Sequence, residues 1–194
     1  MSLIPDQPTI APAAGITVRP AVRRDHHRIR SVVRAAYGQY APLVPAPVFR
    51  RYLTDLLDLD RHAANGHLLV AEHDHRIVGY GAFYPDTARL GFGFPPGWAS
   101  GRGLAAHPEA RGRGVAQALI AESERLARAS GSPVFAFHTA GFMRGAIALY
   151  DRLGYERAPQ YDIDLARHYG FLGLASIPVI AYRRVLCAVP ALQR

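Results

Sequence analysis

The sequence contains no lysine, because all 23 basic residues among its 194 are arginine. A chain without lysine lacks the phosphate-binding lysine of a P-loop and the side-chain amine that forms a Schiff base. Cysteine is almost as scarce, since Cys187 is the only one. A single cysteine cannot form a disulfide within the chain or supply several thiolates to a metal. These shortages exclude P-loop, Schiff-base, disulfide-stabilised and cysteine–metal proteins.

Long apolar runs are missing as well. No segment approaches the roughly 18 consecutive apolar residues that a membrane-spanning helix needs. Residues 1–15 contain Pro5, Pro8 and Pro12 without a continuous apolar core, which is unlike a secretory signal peptide. We interpret residues 1–15 as a flexible tail and residues 16–194 as one domain. We expect a cytoplasmic protein without a membrane partner.

The formal net charge is +8, which suits nucleic acid, an anionic membrane or an acidic small ligand. Because arginine supplies all of the positive charge, we attribute part of it to a GC-rich coding bias and expect a solvated basic surface. The Arg-Gly pairs at 111–114 stand at a predicted helix start and do not form a disordered repeat. We therefore expect no nucleic-acid partner.

The most informative stretch is residues 104–116, whose pattern predicts a strand end, a turn and a helix start. The first turn of a helix has backbone N–H groups without an intrahelical acceptor. Gly112 and Gly114 carry no side chain, so a ligand can approach the backbone closely. Arg111 and Arg113 add positive charge at the positive end of the helix dipole. The stretch predicts a phosphate-binding site, and an ordinary helix start with two permissive glycines is the alternative.

Two motifs resemble a known family. Arg111-x-x-Gly114-x-Ala116, which follows an apolar strand and His-Pro-Glu, resembles the acyl-CoA-binding signature of the GCN5-related N-acetyltransferases (GNAT). The segment Ala-Ile-Ala-Leu-Tyr-Asp-Arg-Leu-Gly-Tyr at 146–155 is similar to the family's second signature, Leu-Tyr-x-x-Leu-Gly-aromatic. The two occur in the family's order with a strand-like segment between them, and the resemblance is specific over roughly residues 67–158.

The resemblance implies an α+β fold, an α/β/α sandwich whose mixed, mostly antiparallel sheet splays between its fourth and fifth strands and is flanked by helices. Our own assignment of the elements agrees with the order β-α-α-β-β-β-α-β-α-β-β. We interpret the glycine- and proline-rich segment 85–103 as a loop on the substrate side. His73-Asp74-His75 is interpreted as a hairpin turn, and we expect no metal site. The predicted elements are strand 16–19, helices 25–36 and 47–61, hairpin strands 67–72 and 76–84, strand 98–106, a helix from 115, strand 134–138, a Thr139-capped helix ending at Gly154, and strands 155–165 and 178–186.

The resemblance implies acetyl-CoA as the acetyl donor. Its pyrophosphate would lie at the turn formed by residues 111–114, here called the glycine turn, and at the helix start that follows. Its pantetheine arm would lie along the preceding strand end, residues 104–106. One backbone N–H of that strand end would face the thioester oxygen. Met143 stands where the family commonly has asparagine, and its thioether cannot donate a hydrogen bond to CoA. The expected cofactor-binding residues are Leu104, Ala105, Ala106, Arg111, Gly112, Arg113, Gly114, Val115, Ala116, Gln117 and Met143.

Two residues are candidates for proton transfer. By resemblance, Tyr150 is the acid that protonates the departing CoA sulfur, and the alternative is a core aromatic residue. His138 is a candidate base because the unperturbed pKa of histidine is about 6.5. The alternative for His138 is a strand-end histidine that is hydrogen-bonded to backbone, and Glu72 and Asp86 are weaker candidates for the base.

The sequence thus predicts an acetyl-CoA-dependent N-acetyltransferase. It would move an acetyl group to a primary amine of a small molecule or peptide by direct attack of the amine on the thioester. A non-catalytic acyl-CoA-binding sensor or partner module of the same fold is the alternative, and Met143 is its only support in the sequence. The acceptor is not specified by any motif, and a homodimer is left open.

Overall fold

The computed structural model describes residues 15–89 and 92–186. The predicted tail, apart from Gly15, and Cys187 lie outside these residues. No helix in the described part combines the length and the apolar character that a membrane crossing would require.

A single eight-stranded sheet forms the centre of the molecule. Its strand order is β1-β2-β3-β4-β5-β8-β6, and β7 also pairs with β8. All pairs are antiparallel except β4 with β5, which confirms the predicted mixed, mostly antiparallel sheet. The strands are β1 (Thr17–Pro20), β2 (His67–His73), β3 (Arg76–Tyr84), β4 (Ala99–Ala106), β5 (Val134–Ala140), β6 (Glu156–Arg157), β7 (Ile163–Asp164) and β8 (Pro178–Val185).

Helices cover both faces of this sheet, as the predicted sandwich requires. Alternate residues of β3 belong to different cores: Tyr80 and Tyr84 pack with α1 and α2, whereas Phe83 packs with α4. This alternation follows from the two-residue period of a strand. The helices are α1 (His26–Tyr37), α2 (Ala46–Leu57), α3 (Leu59–Asn65), α4 (Val115–Ala129), α5 (Arg144–Arg152) and α6 (Leu165–His168).

The sheet opens between β4 and β5. These strands pair only at Ala99 with Phe135 and at Ser100 with Ala136, although β4 continues to Ala106 and β5 to Ala140. The later part of β4 pairs with β3 alone. The predicted splay between the fourth and fifth strands is therefore confirmed.

The predicted helix 47–61 is wrong, because the chain forms two helices there. Asp58 has φ −80° and ψ 69°, which ends α2, and its side chain accepts a hydrogen bond from the Arg61 backbone N–H. An aspartate at an N-cap stabilises a new helix start in this way. The apolar periodicity continues across the break, which hides it from sequence analysis.

The predicted cap at Thr139 is also wrong. Thr139 lies within β5, where it pairs with Ile180, and α5 begins five residues later at Arg144. The Thr139 hydroxyl donates to Met143 Sδ at 3.6 Å, and α5 has no side-chain cap that accepts from its first N–H groups. The predicted strand 155–165 is interrupted by a 3₁₀ turn at Pro159–Tyr161, so within this segment only the short strands β6 and β7 pair with β8.

The predicted loop 85–103 is shorter than expected, since β4 begins at Ala99. Gly103 lies within an irregularity in the pairing of β3 and β4, and its φ of +66° is a conformation that glycine adopts without strain. Glycine at this position therefore belongs to a strand irregularity, which is a common use of glycine within sheets.

Candidate functional site

A cavity of about 590 Å³ lies where β4 and β5 separate. Its wall includes the end of β4, the glycine turn, the first turn of α4, the inner face of α5 and the end of β5. Twelve of the thirteen residues predicted from the sequence line it, and Arg113 does not. The fold therefore brings the two sequence motifs to one place.

The glycine turn is built for close approach of a ligand. Gly112 has φ +75° and Gly114 has φ +79°, a conformation in which a side chain is strained. A Cβ on Gly112 would meet no atom within 4 Å, so open space lies beside this backbone. Helix α4 then begins at Val115 with no side-chain cap and no acidic residue in its first turn. The unpaired backbone N–H groups and the positive end of the helix dipole can therefore interact with an anionic group.

The start of α4 is held by close packing on β3. A Cβ built on Gly79 would overlap Val115 Cγ1 and would lie 3.1 Å from Ala71 Cβ and from Leu119 Cδ1. Only glycine lets the first turn of α4 come this near to the strand. The position of the glycine turn thus depends on a residue of a different element.

The two arginines of the turn have different positions. Arg111 lines the cavity, and its Nη1 lies 3.4 Å from Gln39 Oε1. Arg113 Nη1 donates instead to His73 Nε2 at 2.9 Å, while His73 Nδ1–H donates to the Gly15 carbonyl at 2.9 Å. The structure therefore brings the Arg111 side chain, but not that of Arg113, to the other predicted cofactor-binding residues.

The end of β4 offers backbone groups along the opening. Ala105 and Ala106 pair with β3 on one side, and no strand of the described part pairs with them on the other. The Leu104 carbonyl accepts a hydrogen bond from the Tyr37 hydroxyl at 3.1 Å. This contact ties α1 to the open edge of β4.

Tyr150 is buried, with 5% of its surface exposed, and its ring lies 4.3 Å from that of Phe137. It also lines the cavity, and its hydroxyl has no hydrogen-bond partner among the described residues. Burial raises the pKa of Tyr150, and the nearby hydroxyls of Tyr52 and Tyr40 raise it further. A phenol that stays protonated beside a cavity can donate a proton into it.

Met143 takes the position where the resemblance implies asparagine. It is buried, precedes the first residue of α5, and lines the cavity near the Thr139 hydroxyl. Its thioether is thus occupied as a weak acceptor and presents no donor.

His138 makes the backbone hydrogen bond that its structural interpretation predicts, and it also lines the cavity. Its Nε2–H donates to the Tyr161 carbonyl at 2.7 Å, and its ring stacks on Phe94 at 4.4 Å. This bond assigns the tautomer and leaves Nδ1 with the lone pair. Burial lowers the pKa of His138; Tyr161 and Asp162 oppose the shift, whereas Arg102 adds to it. A histidine beside the cavity that is neutral at pH 7 can accept a proton.

The weaker candidates for the base lie elsewhere. Glu72 pairs with Arg19 at 2.6 Å, and Asp86 Oδ1 accepts from the backbone N–H groups of Ala88 and Gly97. Neither carboxylate lines the cavity.

Sequence analysis missed a charged group in this cavity. Arg102 of β4 lines it and forms an ion pair with Asp55 of α2, beside Tyr169. A single signal was present: Arg102 is a charged residue inside an otherwise uncharged strand between two glycines. The partners, at 55 and 169, lie too far away in the chain to be recognised.

The comparisons with known proteins agree with this geometry. The sequence profile of the acetyltransferase (GNAT) family matches residues 29–155. No curated protein matches the chain.

Solved structures share its fold at low sequence identity. The PaiA N-acetyltransferase of Thermoplasma acidophilum, solved with coenzyme A, has a TM-score of 0.65 and 14% identity over 87% of this chain and 99% of its own. A GNAT family acetyltransferase of Brucella melitensis, solved with acetyl-CoA, has a TM-score of 0.53 and 24% identity over 73% and 82%. A GNAT family acetyltransferase of Elizabethkingia anophelis, solved with acetyl-CoA bound, has a TM-score of 0.59 and 14% identity over 89% of this chain and 99% of its own. With the profile match spanning more than half of its length, this chain belongs to the GNAT acetyltransferase family.

Proposed function

We propose that the protein is an acetyl-CoA-dependent N-acetyltransferase that acetylates a primary amine of a small molecule or peptide. The observation that carries the proposal is the cavity at the splay of β4 and β5. It places an uncapped helix start, an open strand edge and a protonated tyrosine around one space. The family match and neighbours solved with acetyl-CoA or CoA support the same donor.

The residues of the glycine turn fit a pyrophosphate. The open space beside Gly112, the first turn of α4 and the Arg111 guanidinium offer backbone donors and positive charge together. The open edge of Leu104–Ala106 would receive the amide-rich pantetheine arm, as a neighbouring strand would. Met143 would contribute apolar contact without a hydrogen bond.

Acetyl-CoA supplies the thioester carbonyl that the amine nitrogen attacks, and the C–S bond breaks as the C–N bond forms. A backbone N–H at the end of β4 would stabilise negative charge on the carbonyl oxygen. Tyr150 would give its proton to the departing sulfur. His138 Nδ1 would accept the proton that the amine nitrogen must lose. The carbonyl oxygen, the sulfur and the amine nitrogen would thereby each have a partner in the cavity wall.

The proposal is tested by titration calorimetry with acetyl-CoA, followed by thiol release in the presence of an amine panel and mass measurement of the products. Binding together with amine-dependent thiol release and an N-acetylated product is the expected result. Tight binding without thiol release for any amine would favour the sensor alternative. Absence of binding would contradict both.

A further inference from the structure

A charged cluster that the proposed chemistry does not use adjoins the cavity through Arg102. Asp55 forms ion pairs with both Arg102 and Arg61. The Tyr169 hydroxyl donates to Asp55 Oδ2 at 3.0 Å and accepts from Arg102 Nη2 at 3.2 Å. Burial raises the pKa of the Asp55 carboxyl, but Arg102 and Arg61 outweigh that effect and hold it below its ordinary value. The Asp55 carboxylate therefore lies between two guanidinium groups, and Arg61 also pairs with Asp58 at 3.5 Å. The two arginines and two aspartates together have no net charge, and the one that lines the cavity is the Arg102 cation.

Arg102 presents this charge to the cavity. It belongs to the cavity wall, whereas Asp55, Arg61 and Tyr169 do not. Only 13% of the Arg102 side chain is exposed, and the Phe92 ring covers one face of its guanidinium at 4.2 Å. Both side-chain hydrogen bonds of Arg102, to Asp55 Oδ2 and to the Tyr169 hydroxyl, are donated by Nη2. Nε and Nη1 have no acceptor and are not sealed from the cavity within the described residues, so they can still donate.

The remaining charges of the wall have the same sign. Over the described residues, the charged side chains that line the cavity are Arg102, Arg111 and Arg152, and no aspartate or glutamate lines it. Arg111 belongs to the pyrophosphate turn, and Arg152 lies on α5 after the catalytic tyrosine. Arg102 is the cation left for the acceptor. Such a wall repels a polyamine and attracts a group of negative charge.

We propose that the acceptor is a small amine that also carries a carboxylate or an isosteric oxyanion, and that Arg102 binds this group. The inference rests on the proposed acetyl transfer. Arg102 stands two residues before Leu104, roughly 7 Å along the strand. The anion and the reacting nitrogen therefore lie only a few bonds apart, as they do in an amino acid. Asp55 and Tyr169 hold the guanidinium in place, and the anion offsets the repulsion between Arg102 and the amine.

The test compares kcat/KM for free amino acids, the corresponding amino-acid amides and linear polyamines, measured by thiol release. We expect wild type to prefer the carboxylate-bearing amine over its amide by roughly 10–100-fold, since hydrogen bonds to charged groups have this effect. Arg102→Met should reduce this ratio to near one. Arg102→Lys, which keeps the charge without the planar fork, should keep part of the preference. Arg61→Gln is the control, because Arg61 also pairs with Asp55 but does not line the cavity. This variant should keep the full wild-type preference for the carboxylate-bearing amine.

Acetyl-CoA affinity and melting temperature of each variant show whether it is folded. A wild-type preference for amides or polyamines, or no turnover of any carboxylate-bearing amine, overturns the inference. So does an Arg102→Met variant that binds acetyl-CoA normally and keeps the wild-type ratio. In these cases the acetyltransferase proposal stands if any amine is acetylated. Failure of wild type to bind acetyl-CoA would contradict the proposed function instead.

Discussion

Burial shifts the pKa values of the two candidate proton-transfer residues in opposite directions. The pKa of Tyr150 rises and that of His138 falls. At neutral pH the phenol therefore keeps its proton and the imidazole keeps its lone pair. Groups with shifts of opposite sign around one cavity suit the acid and the base of one reaction.

Replacing Tyr150 with phenylalanine removes only the hydroxyl and keeps the ring against Phe137. Because the hydroxyl has no partner among the described residues, we expect the melting temperature to change little. We expect kcat to fall by about 10²–10⁴ while acetyl-CoA affinity is nearly retained. Steady-state thiol release and titration calorimetry measure the two quantities.

Tyr155 provides the matched control. Its hydroxyl donates to the buried Glu124 at 2.6 Å, and it does not line the cavity. Tyr155→Phe should therefore lower stability by about 1–3 kcal/mol, because Glu124 loses a buried donor, and leave kcat close to wild type. Equal kcat values in Tyr150→Phe and Tyr155→Phe would show that the Tyr150 hydroxyl does not act as the acid.

His138 as the base predicts a pH profile. The base must be neutral, and burial together with Arg102 lowers its pKa, so kcat/KM should rise with pH at an acidic limb below about 6.5. His138→Ala should abolish this limb and lower the rate by about 10²–10⁴. The profile of kcat/KM from pH 5 to 8 measures both effects.

A variant of His168 tests whether the acidic limb of the kcat/KM profile reports the titration of His138. It lies close enough to affect the pKa of His138 but does not line the cavity. His168→Gln should keep the acidic limb. An alanine variant of His138 whose profile has the wild-type shape and height would show that this histidine is structural.

Among the elements, α4 has the most demanding position, because its first turn rests directly on Gly79 of β3. Gly79→Ala would force its Cβ onto Val115 and displace the turn. Overpacking of this kind costs about 1–3 kcal/mol. We expect a lower melting temperature and acetyl-CoA affinity weakened by about tenfold, measured by calorimetry.

Gly38→Ala is the control for a general effect of alanine. Gly38 lies outside the cavity wall, and a Cβ there would meet no atom within 4 Å. Its affinity and stability should equal or exceed those of wild type. An unchanged affinity in Gly79→Ala would mean that the turn does not depend on this packing.

The elements differ in how far the sequence predicts them. The hairpin of β2 and β3 follows from a polar turn, and the end of α5 at Arg152 follows from the glycine two residues later, Gly154, which has φ +77° in the structure. The break at Asp58 does not, since a capping aspartate inside a periodic segment resembles an ordinary polar residue. The extension of β5 through Thr139 depends on pairing with β8, which lies about 40 residues further along the chain.

At the scale of the whole molecule, the cavity is lined by residues of two of the hydrophobic clusters, one on each face of the sheet. Its donor half is predictable because the signatures at 111–116 and 146–155 are contiguous in sequence. The part beside Arg102 is not, because Asp55, Arg102 and Tyr169 are separated by 47 to 114 positions and meet only in the fold. Each of these residues alone looks like a solvated charge or a packing aromatic.

The central claim is that the glycine turn before α4 binds the pyrophosphate of acetyl-CoA. Gly112 and Gly131 flank α4, both have φ +75°, and a Cβ on either meets no atom within 4 Å. Gly112→Glu and Gly131→Glu therefore introduce the same strain and the same charge at opposite ends of one helix.

Titration calorimetry of acetyl-CoA with these two variants and wild type is the most direct test. A carboxylate about 4 Å from a phosphate charge costs about 4 kcal/mol near a protein surface, so Gly112→Glu should weaken binding by at least ~100-fold. Gly131→Glu should bind as wild type does. Equal affinities in the two variants would contradict the account.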